Sequence, residues 1–288
     1  MTRTVLVLIC VATTAAGCGA SGSSSDGKTD VVASFYPLAW AAERIGGETV
    51  SVHNLTRPGT EPHDVELSPR DVARVRSADV VLYLGGGFQP AVEDAVKGAS
   101  GTVVDLLAHL ELARAAEAEG GLTEDPHIWL DPVRYAAVVG RIGRVLGRPR
   151  QAERLEAQLS ELDREYAHGL AHCRRHEIVT THAAFGYLAR RYHLRQIPIT
   201  GLSPEAEPTP RDLEGVVKRV RASKATTVFF ETLISPRLAE TVARETGART
   251  DVLDPLEGLS QEKLDRGADY LSVMRENLTA LRRALDCR

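Results

Sequence analysis

Short apolar runs alternate with amphipathic stretches along most of the chain. Four runs lie in the first half and four in the second, at residues 31–35, 49–55, 79–85, 102–106, 177–182, 195–200, 226–231 and 249–254. The stretches between them carry apolar residues at helical spacing, as at residues 37–46, 68–77 and 90–98. Strand-length runs that alternate with helices are typical of βα units and a parallel sheet. The pattern predicts an α/β protein with about four βα units in each half.

A long helical region separates the two halves. It begins near residue 132, and its second part carries Leu155, Leu159, Leu162 and Tyr166 at helical spacing between charged residues. We predict that this second part is a stiff connector. The predicted division is an N-terminal α/β lobe at residues 29–148, a linking helix at 149–173 and a C-terminal α/β lobe at 174–288, the last ending in a helical tail at 262–285.

The first residues have the features of an export signal. An Arg is followed by an apolar stretch at residues 5–11 and by small residues up to Cys18. The stretch is far shorter than the roughly 20 residues needed to span a bilayer, so residues 1–17 are predicted to be a signal peptide. The small residues before Cys18 resemble a bacterial lipobox, and residues 18–28 are Gly/Ser-rich, as in a flexible tether. We therefore expect lipidation at Cys18, an exported protein anchored to the outer face of the cytoplasmic membrane; ordinary secretory cleavage is the alternative.

Composition and charge narrow the classes of function. With 288 residues, 43% of them hydrophobic, the chain is long enough for two domains with cores of their own. The 35 Lys and Arg against 39 Asp and Glu leave a small negative charge, and no basic run offers a surface for phosphate backbones. Nucleic acid is therefore not expected as a partner, and the protein is expected to be a monomer.

Two cysteines stay unassigned in the mature chain. The signal peptide removes Cys10, and lipidation occupies Cys18. The other two, Cys173 and Cys287, would lie in an oxidising compartment, where a pair of thiols indicates a disulfide. Two unpaired buried thiols are the alternative.

Four side chains with metal-binding chemistry fall at or near the ends of predicted elements. His63 follows the second apolar run, His127 precedes a helix start, and His182 and Asp254 each close a run. Ligands of open α/β sheets bind beyond the carboxyl ends of the strands, so one cleft between the halves could collect all four. Three imidazoles and a carboxylate suit tetrahedral Zn²⁺. A water molecule in place of Asp254, and a rival pair at His168 and His172, are alternatives.

The segments around these residues resemble a known family. PHDVELSPRD, DPHIWLDP, THAAFGYLARRYHL and VLDPLEG are similar to motifs of the metal-binding lipoproteins that supply zinc or manganese to ABC importers, in order over nearly the whole mature chain. The resemblance implies two lobes, each with a four-stranded parallel sheet flanked by helices, joined by a long rigid helix, with the metal in the cleft between them. It implies His63, His127, His182 and Asp254 as ligands and an ABC permease as partner. The His-rich loop common in zinc members is absent from residues 112–125.

Metal-bound imidazoles need partners for their other nitrogen. Glu231, at the end of a strand, and Asp125, two residues before His127, are the candidates. Asp131 is better placed to cap the following helix.

The same residues leave several functions open. His182 stands where manganese members of the resembled family tend to carry Glu, which favours zinc as the bound ion. The predicted function is a zinc-binding component of an ABC importer, without enzymatic activity. The alternatives are a manganese-binding homologue and an adhesin-like lipoprotein with a structural metal. A zinc hydrolase is the least favoured, because H-E-x-x-H and G-x-S-x-G are both missing from the sequence.

Overall fold

A computed structural model describes residues 27–119 and 122–288. The predicted signal peptide and Cys18 therefore lie outside the described residues, as does nearly all of the predicted tether. No helix in the described ranges is both long and apolar enough to span a membrane.

The N-terminal lobe is built on a four-stranded parallel sheet in the order β2-β1-β3-β4. Its strands alternate with helices, as the apolar pattern predicts. The elements are β1 (Thr29–Ala33), α1 (Tyr36–Gly46), β2 (Val50–Asn54), α2 (Pro69–Ser77), β3 (Val80–Tyr83), α3 (Pro90–Ala95) and β4 (Thr102–Asp105). Ser68 caps α2 through its side chain, and Pro69 occupies the first turn, where its missing N–H costs nothing.

An antiparallel hairpin, β5 (Arg114–Glu119) and β6 (Leu122–Glu124), follows the first sheet. The sequence pattern does not predict it, because its residues are mostly Ala and Glu, which favour helices over strands.

The predicted helical region is two helices, α4 (Pro132–Val145) and α5 (Pro149–Gly169). They are separated at Gly147, whose φ of 65° is left-handed and ends the first helix. The apolar face predicted for α5 is buried at all four positions, and it packs into a core with residues of both lobes. The helix ends at Gly169, four residues before the predicted end.

The C-terminal lobe repeats the architecture in a second parallel sheet, in the order β10-β9-β7-β8. The elements are β7 (Glu177–Thr180), α6 (Gly186–Arg191), β8 (Arg195–Pro198), α7 (Pro210–Ser223), β9 (Thr227–Phe230), α8 (Arg237–Thr246) and β10 (Arg249–Val252). The helical tail consists of α9 (Gln261–Asp265) and α10 (Tyr270–Leu285), which are separated at Gly267, with φ of 77°. The predicted two-sheet α/β fold with a long connecting helix is thus confirmed.

The predicted disulfide joins Cys173, just after α5, to Cys287, just after α10. It fastens the last helix to the start of the C-terminal lobe.

Candidate metal centre

Four side chains from both lobes meet in one buried cluster: His63, His127, His182 and Glu257. His63 lies in the loop after β2, and His127 lies between β6 and a short turn at Ile128–Leu130. His182 follows β7, and Glu257 lies in the loop between β10 and α9. None of the four is more than 6% exposed. Three of the four therefore lie after strands of the parallel sheets, as the rule for open α/β sheets predicts, and His127 follows the hairpin strand β6.

All four ligand atoms lie within 4.8 Å of one another, and four of the six distances between them fit a tetrahedral metal site. Glu257 Oε1 lies 3.3 Å from His63 Nε2 and 3.2 Å from the Nε2 atoms of His127 and His182. The last two nitrogens are 3.3 Å apart. Ligands at about 2.0 Å from a tetrahedral ion stand about 3.3 Å from one another. The cluster therefore matches the size of a Zn²⁺ site.

Two carboxylates set the tautomers of two of these histidines. Asp125 Oδ1 accepts hydrogen bonds from His127 Nδ1 at 2.9 Å and from its main-chain N–H at 3.0 Å. Glu231 Oε1 accepts from His182 Nδ1 at 2.6 Å and from the Thr181 hydroxyl. A neutral imidazole that donates through Nδ1 has an unprotonated Nε2, and in both rings this Nε2 faces the cluster. Lone pairs then face one another and Glu257 Oε1, so a metal ion or a proton between them stabilises the cluster.

The four side chains of the cluster have perturbed acidities. Burial lowers the pKa of His182, but Glu231 and Glu257 outweigh it and hold this pKa well above the usual value. The pKa of His127 is raised in the same way, with Asp125 and Glu257 outweighing burial. Burial lowers the pKa of His63. Burial raises the pKa of Glu257, but the three histidines outweigh it and hold this pKa well below the usual range. The metal-free cluster therefore holds a proton on His182 to higher pH than an ordinary histidine would.

We predict that zinc affinity rises with pH through neutrality. A proton on His182 competes with Zn²⁺, since an imidazole must be neutral to bind metal. A raised pKa moves this competition above pH 6.5, the value for unperturbed histidines, so proton release continues at pH 7. Calorimetric titrations in buffers of different ionisation enthalpy would count the released protons. Binding at pH 7 without proton release would contradict the prediction.

The structure corrects one member of the predicted ligand set. Asp254 is buried but does not join the cluster: its Oδ2 accepts hydrogen bonds from Lys263 Nζ at 2.7 Å and Thr232 Oγ1 at 3.1 Å. Three residues later, Glu257 takes the fourth position. The chain turns back after β10, so the first acidic residue past the strand shapes the turn and the second enters the cleft. Both residues lie in VLDPLEG, and strand-end position alone favours the wrong one.

Other candidates have structural roles. Asp131 accepts hydrogen bonds from the N–H groups of Val133 and Arg134, so it caps α4. His168 and His172 are exposed and belong to no metal-ligand group among the described residues.

Glu61, two residues before His63, also borders the cluster. Its Oε2 accepts the main-chain N–H of His63 at 2.9 Å. Burial, and then the charge of Glu257, raise its pKa to about 8.

Comparison with known proteins identifies the family of the chain. Residues 31–284 match the family described as zinc-uptake complex component A, periplasmic (ZnuA). The chain belongs to this family. It is 33% identical over 297 residues to the high-affinity zinc uptake system protein ZnuA of Bacillus subtilis, covering 94% of this chain and 93% of that protein. It is 35% identical over 284 residues to the zinc-binding lipoprotein AdcA of Streptococcus pneumoniae, covering 91% of this chain and 57% of AdcA. The chain thus spans little more than half the length of AdcA.

Solved structures share the architecture. The Zn(II)-bound ZnuA-like domain of S. pneumoniae AdcA superposes with a TM-score of 0.75 at 35% identity, over 90% of this chain and all of that one. The laminin-binding protein of Streptococcus agalactiae, described as bifunctional with adhesin and metal transporting activity, superposes with a TM-score of 0.81 at 30% identity, over 90% and 99%. The resemblance predicted from the motifs is confirmed.

Proposed function

We propose that this chain is the extracytoplasmic zinc-binding component of an ABC importer, which captures Zn²⁺ and delivers it to a membrane permease. The observation that carries the proposal is the meeting of four buried ligand atoms from both lobes within 4.8 Å of one another. The family of the chain supports the same role. Zinc is the cargo, and its ligands in this proposal are His63, His127, His182 and Glu257.

The position of the site between the lobes suits capture and release. His63 and His127 come from the N-terminal half, and His182 and Glu257 from the C-terminal half. Hydrogen bonds also cross the cleft, from Trp129 Nε1 to the Pro255 carbonyl at 2.7 Å and from the Gly59 N–H to the Leu259 carbonyl at 3.0 Å. A bound ion adds four coordinate bonds to this interface. A movement that opens the cleft would separate the two ligands of one half from the two of the other. The ion would then lose two of its four ligands.

The ligand set supports transport over catalysis. Catalytic zinc sites keep one coordination position open for water, whereas structural and carrier sites close it with protein ligands. Four protein ligands at tetrahedral spacing fill the shell of Zn²⁺. The relatives are named as zinc-binding and zinc-uptake proteins.

A competition titration tests the choice of metal. Three imidazoles favour Zn²⁺, whereas Mn²⁺ prefers a shell richer in oxygen and stands lower in the Irving–Williams series. Metal-free protein titrated with Mn²⁺ and then with Zn²⁺ should lose its Mn²⁺ at close to one equivalent of Zn²⁺. Mn²⁺ that binds as tightly as Zn²⁺ would instead identify a manganese carrier.

Adhesion is the second candidate function, because the laminin-binding protein of S. agalactiae shares the fold and is described with both activities. Immobilised laminin, probed with zinc-loaded and metal-free chain, would detect it. Saturable binding of either form would establish adhesion. Absence of binding would leave transport as the only proposed function.

Membrane anchoring belongs to the same proposal. The lipobox-like residues before Cys18, together with the lipoprotein name of AdcA, support an acylated Cys18 that holds the protein at the outer face of the cytoplasmic membrane. Cys18→Ser should release the protein from washed membranes, and retention of this variant would contradict the anchor.

A further inference from the structure

The loop that carries Glu257 is shaped by Asp254, the residue displaced from the ligand set. Asp254 Oδ1 accepts the N–H of Leu256 at 2.8 Å, and Oδ2 accepts from Lys263 and Thr232. Asn277 on α10 clamps the main chain of Asp254 from both sides, donating to its carbonyl at 2.7 Å and accepting its N–H at 2.9 Å. Asp254 is 2% exposed. One buried carboxylate thus joins the end of β10, the turn and α9.

This turn is one that the chain would not adopt unaided. Leu256 has φ of 57°, in the left-handed region that is unfavourable for side chains larger than glycine. Such a conformation persists only where surrounding contacts enforce it. The Asp254 hydrogen bond to the Leu256 N–H and the burial of the Leu256 side chain are those contacts. The turn reverses the chain immediately before Glu257.

Glu257 depends on that turn for its position. Within the described part of the chain, its carboxylate makes hydrogen bonds only to the three histidines of the cluster. His127 and His182 are instead oriented by carboxylates of their own, Asp125 and Glu231. The main chain therefore holds Glu257 in the cleft, where it is 1% exposed.

We propose that Asp254 is a positioning residue for the metal site: through the Leu256 turn it presents Glu257 to the ion. Lys263 neutralises the Asp254 carboxylate at 2.7 Å, which holds it in the turn and away from the ion. This inference rests on the proposed zinc site and adds to it the residues that arrange its fourth ligand. Outer-shell partners of this kind change metal affinity about 10- to 100-fold when they are removed.

The test compares Asp254→Ala, Asp254→Asn and Glu257→Gln with a matched control. Asp251→Ala removes an acidic residue from β10 whose partner is the partly exposed Arg283, outside the turn. Zinc affinity is measured by competition with a chromophoric chelator, and the geometry of the site by the visible spectrum of the Co²⁺-loaded protein. The melting temperature of each metal-free variant separates loss of fold from loss of site.

We expect Asp254→Ala to weaken zinc binding at least tenfold and to alter the Co²⁺ spectrum. Asp254→Asn should recover part of the affinity, because the amide oxygen can still accept the Leu256 N–H. Asp251→Ala should match the wild type. Lys263→Met is the second variant if Asp254→Ala does not fold; it frees the carboxylate from its ion pair and should also change the Co²⁺ spectrum.

The outcomes separate this inference from the proposed function. Failure of the wild type to bind zinc would overturn the proposed function itself. Wild-type binding that Glu257→Gln weakens, with Asp254→Ala and Lys263→Met both indistinguishable from wild type, would overturn only the positioning role. Loss of zinc in Asp254→Ala with full affinity in Glu257→Gln would make Asp254 the ligand, and the inference would be wrong.

Discussion

Replacing His182 with Ala is expected to weaken zinc binding by on the order of a hundredfold. A four-ligand zinc site is worth about 10 to 16 kcal/mol, so one ligand accounts for about 3 kcal/mol, and 1.4 kcal/mol is tenfold in affinity. His182 is completely buried and oriented by Glu231, so its replacement removes an ordered ligand. The effect would be measured by competition with a chelator of known affinity.

The double variant His168→Ala with His172→Ala is the matched control. It removes two histidines at the end of α5, but both are exposed and neither belongs to the cluster. Zinc should stabilise this variant against heat as it does the wild type, by about 4 kcal/mol at a free concentration a thousand times the dissociation constant. His182→Ala should lose most of that stabilisation. One tight zinc that survives in His182→Ala would refute the assigned site.

Removing the disulfide, as Cys173→Ser with Cys287→Ser, is expected to lower the free energy of unfolding by about 4 to 5 kcal/mol. The bridge joins residues 114 apart, and a loop of this length restricts the unfolded chain strongly in the entropy model. Urea unfolding of the metal-free protein would measure the loss. Mass spectrometry should find no free thiol at either position in the oxidised wild type.

Asp286→Asn provides the control for that region. Asp286 lies beside Cys287 with φ of 55°, a conformation that Asn tolerates, and its ion pair with Arg174 is half-exposed or more on both sides. An exposed pair contributes at most about 1 kcal/mol, so this variant should unfold close to the wild type. Equal losses in the two proteins would show that local packing, rather than the covalent bridge, stabilises this region.

Local pattern was enough to predict most of this fold. Seven of the eight strands of the two sheets lie within the predicted runs, and β1 begins two residues before its run. The central strands are mostly buried, and such strands of a parallel sheet appear as continuous apolar segments. The burial of Leu155, Leu159, Leu162 and Tyr166 on α5 follows from helical spacing alone. The hairpin of β5 and β6 was missed because Ala and Glu dominate its strands and Thr123 is their only β-branched or aromatic residue.

The sequence by itself determined the sheets, the connecting helix and three of the four residues in the metal cluster. His63 and His182 could be found because each follows a predicted strand, and His127 because it precedes a predicted helix start. The choice between Asp254 and Glu257 was decided only by tertiary structure. Asn277, 23 residues further along the chain, holds Asp254 in the turn, and Lys263 neutralises it. A left-handed Leu256 then turns Glu257 towards the cleft, and a conformation imposed by distant contacts leaves no signal in the local sequence.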